Sequence, residues 1–264
     1  MNGGSLPVLK KISLSFLIYG GISGALLAET SVPPQKPVTA VEARKIAEEV
    51  VSKSIKNLQE AFQVAFLIAT ENAAKQNSQE AALRTHQDTL FKNKLHPFLG
   101  AAQGSQVALM FADPYCGHCH ENMDEFEKYM SQAPKAQLVI HNYPLFGKGS
   151  HDAVLALLAA NAQGKYFEFY KAFRQTFEKK KKTLSKEELD QVAGTAGLDL
   201  KKFQADLKGP QIQDVLKESI RLGKVFNIMG TPTFIVAPQG GSDGLGKVME
   251  GRIEPTKCFE SAKK

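Results

Sequence analysis

Residues 111–120 read FADPYCGHCH and place a Cys-x-x-Cys motif directly after a short apolar segment. That segment, residues 105–112, is bounded by Gly104 and Pro114, which is typical of a buried strand. Apolar residues at helical spacing follow the motif, so Cys116 is expected in the first turn of a helix. Unpaired backbone N–H groups and the helix dipole favour a thiolate there. We therefore predict that Cys116 is an exposed nucleophile and that Cys119, one turn further, can form a disulfide with it.

Two histidines adjoin the second cysteine and allow a second interpretation of the motif. His118, when protonated, would place a positive charge beside the Cys116 sulfur and stabilise its thiolate. The competing interpretation is a zinc or copper site in which His118 and His120 are additional ligands. A closed zinc site needs four ligands, and the remaining cysteine, Cys258, has no cysteine near it in the sequence. The pattern favours redox chemistry over a metal site or an inert structural disulfide. Cys258 is expected to be a buried thiol, and a disulfide between two chains is the alternative.

The overall composition narrows the class of protein. The chain of 264 residues is 43% apolar and 23% charged, with three cysteines, which excludes a disordered chain and a small scaffold held by disulfides. The net charge of +6 is scattered, and its one dense run, residues 179–182, has no interleaved aromatic residues. Such a run is typical of a solvated loop or helix end, so we expect no nucleic-acid partner.

Residues 1–28 have the organisation of a secretory signal peptide. Lys10 and Lys11 precede an apolar stretch over residues 12–28, and small residues lie near its end. Because the stretch is at the lower length limit for a membrane span, an uncleaved membrane anchor is the alternative. An exported chain would work in an oxidising compartment, in which a Cys-x-x-Cys motif can be kept as a disulfide.

Residues 29–94 are predicted to form a linker and a helical region. Prolines early in this region keep the chain extended. A Thr-x-x-Glu capping box then begins at Thr39, and apolar residues recur every three to five positions. This pattern predicts a long amphipathic helix over residues 40–74. A similar capping pattern at Asn77 predicts a second helix that ends before Pro97.

Residues 95–264 are predicted to form one domain of mixed secondary structure. After the motif, a second buried strand is expected at residues 137–141, and helical patterns fill about 149–226. Two further strands, at residues 233–237 and 247–250, enclose a glycine-rich turn and form a hairpin before a last short helix. The order βαβ, helices, ββα predicts an α/β fold with a mixed sheet and a helical insertion.

The motifs also resemble a known family. Residues 111–120, together with residues 230–234 (GTPTF), look like the thioredoxin superfamily, and specifically the periplasmic Dsb proteins. Residues 141–168 are similar to the helical insertion of DsbA-type members. The resemblance covers about residues 95–260, and it implies a thioredoxin fold with a helical insertion and an N-terminal helical extension.

The resemblance assigns roles to four further residues. It implies that Pro232 is a cis-proline facing the sulfurs, and that Thr231 offers backbone groups to an extended substrate segment. In such families the residues between the cysteines, here Gly117 and His118, tune the stability of the thiolate. A low pKa stabilises the dithiol and makes the disulfide a stronger oxidant, and a histidine at position 118 points to the oxidising side.

Other residues are similar to the DsbC-type isomerases instead. Met110 stands six residues before Cys116, where DsbA and thioredoxin relatives have a buried carboxylate that helps proton transfer. Thr231, His120 and the Phe-x-Asp run before the motif are similar to DsbC-type isomerases, which are dimers joined through an N-terminal extension. We therefore expect residues 29–94 to serve in dimerisation. A helix folded back on its own domain and a membrane-surface helix are the alternatives.

These expectations describe an exported, periplasmic thiol–disulfide oxidoreductase without a bound cofactor, which forms or isomerises disulfides and is a homodimer. Its expected partners are unfolded or misfolded secreted proteins with cysteines, and a membrane redox protein of the DsbB or DsbD type. Two alternatives remain: an envelope chaperone or binding protein whose cysteines are incidental, and a copper-handling thioredoxin-like protein. Membrane association depends on whether the signal segment is cleaved.

Overall fold

A mixed five-stranded sheet organises the part of the chain that contains the Cys-x-x-Cys motif. The computed structural model describes residues 39–236 and 246–261. Its strands are β1 (Phe98–Gly100), β2 (Gln106–Ala112), β3 (Ala136–Asn142), β4 (Thr233–Val236) and β5 (Lys247–Glu250). They lie in the order β1-β3-β2-β4-β5, with β2 and β3 parallel and the other neighbours antiparallel. The predicted mixed sheet is confirmed.

Helices connect and flank these strands. In the described ranges they are α1 (Ala40–Phe91), α2 (Gly117–Met130), α3 (Lys148–Asn161), α4 (Tyr166–Lys180), α5 (Lys186–Thr195), α6 (Leu200–Asp206), α7 (Pro210–Val225) and α8 (Pro255–Glu260). Helix α2 connects β2 to β3, and α3 to α7 lie between β3 and β4. The predicted order βαβ, helices, ββα is therefore present.

Two short elements have no counterpart in the sequence-based prediction. Helix α6 has only seven residues, too few for a periodic apolar pattern, and is capped by the Asp199 side chain, which accepts a hydrogen bond from the Lys202 amide. Strand β1 has three residues and pairs antiparallel with β3 at the sheet edge, with Leu99 opposite Leu138. Three residues are too few to show strand alternation.

Helix α1 is one helix of 52 residues, whereas the sequence predicts two. The stretch contains neither glycine nor proline, so nothing in its backbone forces a break at Asn77. The predicted capping box there is wrong, because Glu80 instead accepts a hydrogen bond from the side chain of Gln76. The capping box at Thr39 is confirmed: its amide and hydroxyl exchange hydrogen bonds with the carboxylate and amide of Glu42, at 2.9 and 3.3 Å.

The chain divides into two units between Thr70 and Glu71, whereas the sequence places the end of the N-terminal region at residue 94. In the first unit, the side chains of residues 39–70 are all exposed. Its large exposed apolar side chains are Val41, Ile46, Val50, Val51, Ile55, Leu58, Phe62, Val64, Phe66, Leu67 and Ile68.

The second unit has an apolar cluster on each face of the sheet. Met110 packs in one cluster, and its neighbours Leu109 and Phe111 pack in the other, because successive strand side chains point to opposite faces. Leu83 and Leu90 of α1 are buried in the cluster that contains Phe111. The last turns of α1 are thus part of the core of the second unit.

Three predicted segments lie outside the described residues: the signal peptide, the linker up to residue 38, and the glycine-rich turn between β4 and β5. The hairpin that this turn joins is confirmed by the pairing of Phe234 with Met249. Of the helices that the structure describes, none is both long and apolar enough to cross a membrane.

Candidate active site

The chain turns from strand to helix at Cys116. Strand β2 ends at Ala112, and α2 begins at Gly117 with Cys116 as its N-cap residue. The Cys116 amide donates a hydrogen bond to the Asp113 carbonyl oxygen at 3.1 Å and closes the turn. The Cys116 sulfur accepts a hydrogen bond from the Cys119 amide at 3.2 Å, as a serine oxygen does at an ordinary helix N-cap. The predicted position of Cys116 at the start of a helix is confirmed.

These surroundings lower the pKa of Cys116 to about 6. The largest cause is a hydrogen bond from the Cys119 thiol, and the Thr231 side chain and the Cys119 amide act in the same direction. Burial of the sulfur and the negative charge of Asp113 oppose them. At neutral pH, most of the Cys116 thiol is therefore ionised to thiolate, the form that attacks disulfides.

Cys119 has the opposite environment. It is 1% exposed, and burial together with the neighbouring Cys116 raises its pKa far above the ordinary value for a thiol. Both cysteines are free thiols in this structure. The Cys116 thiol ionises readily, whereas the Cys119 thiol stays protonated. Cys116 itself is only 5% exposed, so the prediction of an exposed nucleophile is wrong. The reason is a long-range contact of its sulfur with Thr231.

The Thr-Pro motif lies directly against the cysteines. The Cys116 thiol donates a hydrogen bond to the Thr231 carbonyl oxygen at 3.2 Å, across 115 positions of sequence. The peptide bond between Thr231 and Pro232 is cis, as the family resemblance implies. Phe111 of β2 pairs with Thr233 of β4, so the segment after β2 and the segment before β4 meet at one end of the sheet.

Gly117 and His118 lie in the first turn of α2. The His118 ring is 74% exposed, and its Nδ1 lies 3.3 Å from a carboxylate oxygen of Glu121. The described hydrogen bonds of the Cys116 sulfur go to Cys119 and Thr231, so a contribution of His118 to the thiolate stays a prediction. The hydrogen of Gly117 faces open space, since a Cβ there would meet no described atom within 4 Å.

His120, in contrast, is buried beneath the turn. Its Nε2 donates a hydrogen bond to the Pro114 carbonyl oxygen at 2.7 Å, and its ring lies edge to face against Tyr170. Burial lowers the pKa of His120 and favours the neutral ring. In the part of the chain that the structure describes, no group of three or more histidine, cysteine or carboxylate side chains is arranged to hold a metal ion.

Sequence reasoning missed two residues that fasten the turn to the helical insertion. The buried Asp113 carboxylate accepts hydrogen bonds from the Tyr115 amide and from donors at residues 145–150. The Tyr115 ring lies edge to face against two phenylalanines of α4, and its hydroxyl accepts a hydrogen bond from the Leu184 amide at 2.9 Å. The one sequence signal for these contacts is the Phe-x-Asp run at residues 111–113. The resemblance uses this run only as a similarity to the DsbC-type isomerases.

Two further residues that the sequence singles out are buried. Met110 is fully buried in β2, between Ile140 of β3 and Phe234 of β4. The position that holds a buried carboxylate in DsbA relatives is therefore apolar here. Cys258 is fully buried in α8, as expected, and burial raises its pKa to about 12.

This fold and site can be compared with known proteins. The profile of the DSBA-like thioredoxin domain matches residues 107–252, more than half of the chain. The chain belongs to this family, and membership supports a role in thiol–disulfide exchange. A search of curated protein sequences finds no match.

Solved structures show the same fold. A thioredoxin-like oxidoreductase from Silicibacter pomeroyi DSS-3 is 27% identical with a TM-score of 0.55, over 66% of this chain and 94% of its own. The thiol-disulfide exchange protein alpha-DsbA2 from Wolbachia pipientis is 21% identical with a TM-score of 0.58, over 72% and 96%. A linker-deletion variant of ScsC from Proteus mirabilis is 18% identical with a TM-score of 0.59, over 87% and 97%. The predicted thioredoxin fold is confirmed.

Proposed function

We propose that the chain is a periplasmic thiol–disulfide oxidoreductase that forms and isomerises disulfide bonds in secreted proteins through Cys116 and Cys119. The observation that carries this proposal is the contrast between the two thiols. The pKa of Cys116 is about 6, whereas burial keeps Cys119 protonated. An exchange centre needs one sulfur that attacks and leaves readily and a second one that resolves the mixed disulfide.

Oxidation starts from the Cys116–Cys119 disulfide. A client thiolate attacks the Cys116 sulfur, a mixed disulfide forms, and the Cys119 sulfur leaves as a thiolate that takes up a proton. A second client thiolate then attacks the client sulfur of the mixed disulfide, and Cys116 leaves as a thiolate. The client thus loses two electrons and gains a disulfide, while the chain gains these electrons and becomes the dithiol. The low pKa of Cys116 favours this direction, because it stabilises the leaving thiolate.

Isomerisation starts from the dithiol. The Cys116 thiolate attacks an incorrect client disulfide, and the released client thiolate attacks another sulfur of the same client until Cys116 leaves again. No net electron transfer occurs in this cycle. If the mixed disulfide persists, the Cys119 thiol gives up its proton as its sulfur attacks Cys116. The client sulfur leaves and takes up a proton, so the client is released in reduced form and the Cys116–Cys119 disulfide is formed.

Thr231 and Pro232 are proposed to receive the client segment. Thr231 supports this role because its carbonyl oxygen lies 3.2 Å from the Cys116 sulfur, next to any client joined to that sulfur. Two residues earlier, the side chain of Met229 is 77% exposed and offers an apolar contact. An unfolded client supplies extended backbone and apolar side chains of this kind.

The exposed apolar side chains of residues 39–70 are proposed to pack against a second copy of the chain. We call this surface the α1 surface. Val51, Ile55, Leu58 and Phe62 recur along it at steps of four, three and four residues, the spacing of a seam between two helices. Soluble chains rarely leave so many large apolar side chains exposed. A homodimer formed in this way supports the isomerase role.

The proposed clients and redox partners are those expected in the proposed compartment, the periplasm. The proposed clients are unfolded or misfolded secreted proteins, and the proposed partner is a membrane redox protein of the DsbB type for oxidation or of the DsbD type for reduction. Thiol trapping of Cys116 and Cys119 in cells distinguishes the two. A trapped disulfide supports the oxidase role, and a trapped dithiol supports the isomerase role.

Two assays test the proposal as a whole: reduction of insulin and refolding of a client with scrambled disulfides. We expect Cys116→Ala to abolish activity in both assays. Cys258→Ala is the matched control and should leave both rates at the wild-type level, because this thiol is fully buried and the described hydrogen bonds of the Cys116 sulfur go to Cys119 and Thr231. Equal rates for Cys116→Ala and the wild-type protein would show that the proposed function is wrong.

A further inference from the structure

The Asp113 side chain is a buried carboxylate whose two oxygens are both fully used. It is 1% exposed. Its Oδ1 accepts hydrogen bonds from the Tyr115 amide at 2.8 Å and from the Ser150 hydroxyl at 3.0 Å. Its Oδ2 accepts from the amides of Leu145 and Phe146, at 2.6 and 3.2 Å. A buried charge is costly unless it is compensated in this way.

These four hydrogen bonds join three pieces of chain around the nucleophile. The Tyr115 amide belongs to the turn that ends at Cys116, Ser150 lies in the first turn of α3, and Leu145 and Phe146 belong to the loop between β3 and α3. The acceptor must be a carboxylate, because an amide at this position would turn one N–H group toward other N–H donors. The loop that these hydrogen bonds hold in place contains Phe146, which is 58% exposed.

We propose that Asp113 is a positioning residue for client binding, which holds the loop of Phe146 beside the Cys116 turn so that the exposed ring contacts apolar residues flanking the client cysteine. This inference rests on the proposed function. Asp113 touches neither sulfur through its side chain and acts through Tyr115 and Phe146. The client class is thus a cysteine-containing segment with leucine-like neighbours.

Two variants separate the charge of Asp113 from its hydrogen bonds. Its negative charge raises the pKa of Cys116, against the larger effects that lower it. Asp113→Asn removes this charge and also breaks hydrogen bonds, whereas Ser150→Ala removes one hydrogen bond and leaves the charge in place. A residue that only stabilised the fold would change the melting temperature of its variants and would leave the choice of client unchanged.

The test compares two reduced two-cysteine peptides, one with leucines and one with serines beside each cysteine, as substrates of the oxidised full-length protein. We expect Phe146→Ser to raise KM for the leucine peptide about fivefold and to leave KM for the serine peptide unchanged, since a contact worth about 1 kcal/mol is lost. Asp113→Asn and Ser150→Ala should show the same selective rise. The absorbance of the Cys116 thiolate should show a lower pKa in Asp113→Asn and a wild-type pKa in Ser150→Ala.

The outcomes are separable. If Asp113→Asn does not fold, Ser150→Ala and Phe146→Ser carry the test. Oxidation of both peptides with an unchanged ratio of KM values in Ser150→Ala and Phe146→Ser overturns the positioning role and leaves the proposed function intact. If the wild-type protein oxidises neither peptide, the proposed function is overturned and the positioning role falls with it.

Discussion

The imidazole rings of His96 and His141 stack with their centroids 3.8 Å apart, and both side chains are buried. His141 Nε2 donates a hydrogen bond to the Leu90 carbonyl oxygen of α1, and His96 Nε2 donates to a carboxylate oxygen of Glu218 in α7. Each ring has a buried Nδ1 without a hydrogen-bond partner in the described chain. A proton added at Nδ1 would therefore lie in the interior with no acceptor.

This stacked pair predicts a pH dependence of stability. Burial, with a smaller effect of His96, lowers the pKa of His141 well below 6.5. A lowered folded-state pKa contributes stability that is present above the unfolded-state pKa and lost as pH falls below it. We expect the free energy of unfolding to fall by about 1 to 2 kcal/mol between about pH 7 and about pH 5 on account of His141.

Thermal or urea unfolding at both pH values measures this loss. His141→Gln should show a smaller loss than the wild-type protein, with a remainder from His120, whose pKa burial also lowers. Glu218, which faces His96, titrates below this pH range, because the hydrogen bond from His96 lowers its pKa. His118→Gln is the matched control on an exposed ring and should keep the wild-type loss. The same loss in His141→Gln and wild type would contradict the prediction.

The titration of Cys116 depends on the Cys119 thiol. We expect the thiolate absorbance of the reduced protein to rise with a midpoint near pH 6, matching the pKa of about 6, and to vanish in Cys116→Ser. Cys119→Ala removes the largest cause of the low pKa and should move the midpoint upward. Cys119→Ser keeps a hydroxyl donor and should stay nearer to the wild-type midpoint. An unchanged midpoint in Cys119→Ala would refute this origin of the acidity.

The hydroxyl of Thr231 should lower the pKa of Cys116 without stabilising the fold of the reduced protein. Its Oγ1 is buried and has no hydrogen-bond partner among the residues described, while the Thr231 side chain lowers the pKa of Cys116. Thr231→Val keeps the branched shape and removes the hydroxyl. We expect a higher pKa of Cys116 and a melting temperature equal to or above that of the wild-type protein, since an unpaired buried oxygen costs about 1 to 3 kcal/mol. A fall in both quantities would argue against this role.

The end of α1 should be required for stability of the second unit. Leu90 is fully buried in the cluster that contains Phe111, so Leu90→Ala should lower the free energy of unfolding by about 2 to 5 kcal/mol. Leu200→Ala makes the same chemical change at a site that is 46% exposed and should cost less than about 1 kcal/mol. Urea denaturation of both variants provides the comparison. Similar midpoints would mean that α1 contributes no core to this unit.

The α1 surface should control self-association. Light scattering of the full chain is expected to give the mass of a dimer. The double variant Leu58→Glu with Phe62→Glu should give the mass of a monomer, because burying carboxylates without charged partners in an apolar seam is unfavourable. Lys56→Glu changes the net charge by the same amount at a position outside the spacing of the seam and should stay dimeric. Insulin reduction should survive in the monomer, and refolding of the scrambled client should fall. A monomeric wild-type protein would remove this support for isomerisation.

The mixed sheet, the order βαβ, helices, ββα along the chain and the Cys-x-x-Cys turn could be predicted because local signals mark them. Gly104 and Pro114 bound the central strand, and the Thr-Pro motif marks the return strand. The capping pattern at Asn77 wrongly predicts a break in α1, because no residue there interrupts the helix. Capping residues only permit a helix to begin, and without a glycine, proline or packing contact to end the preceding turn they have no effect.

The site itself depends on contacts that sequence spacing does not show. The burial of Cys116 follows from Thr231, 115 positions away, and the hydrogen bonds of Asp113 reach residues 32 to 37 positions away. The stacking of His96 on His141 likewise joins a residue of the loop before β1 to a residue of β3. Such pairs are determined by the packing of strands and helices, for which a single sequence carries no direct signal.

The pairing of Phe111 with Thr233 has a consequence for how this chain can change over evolution. Because β2 and β4 are hydrogen-bonded neighbours, the distance from the Cys116 sulfur to the Thr231 carbonyl is set by the two strands and not by the chain between them. The helices between β3 and β4 can thus lengthen or shorten while the geometry of the exchange centre is kept, provided that the contacts of Asp113 and Tyr115 with this insertion remain. New client preferences can arise in that insertion without cost to the chemistry.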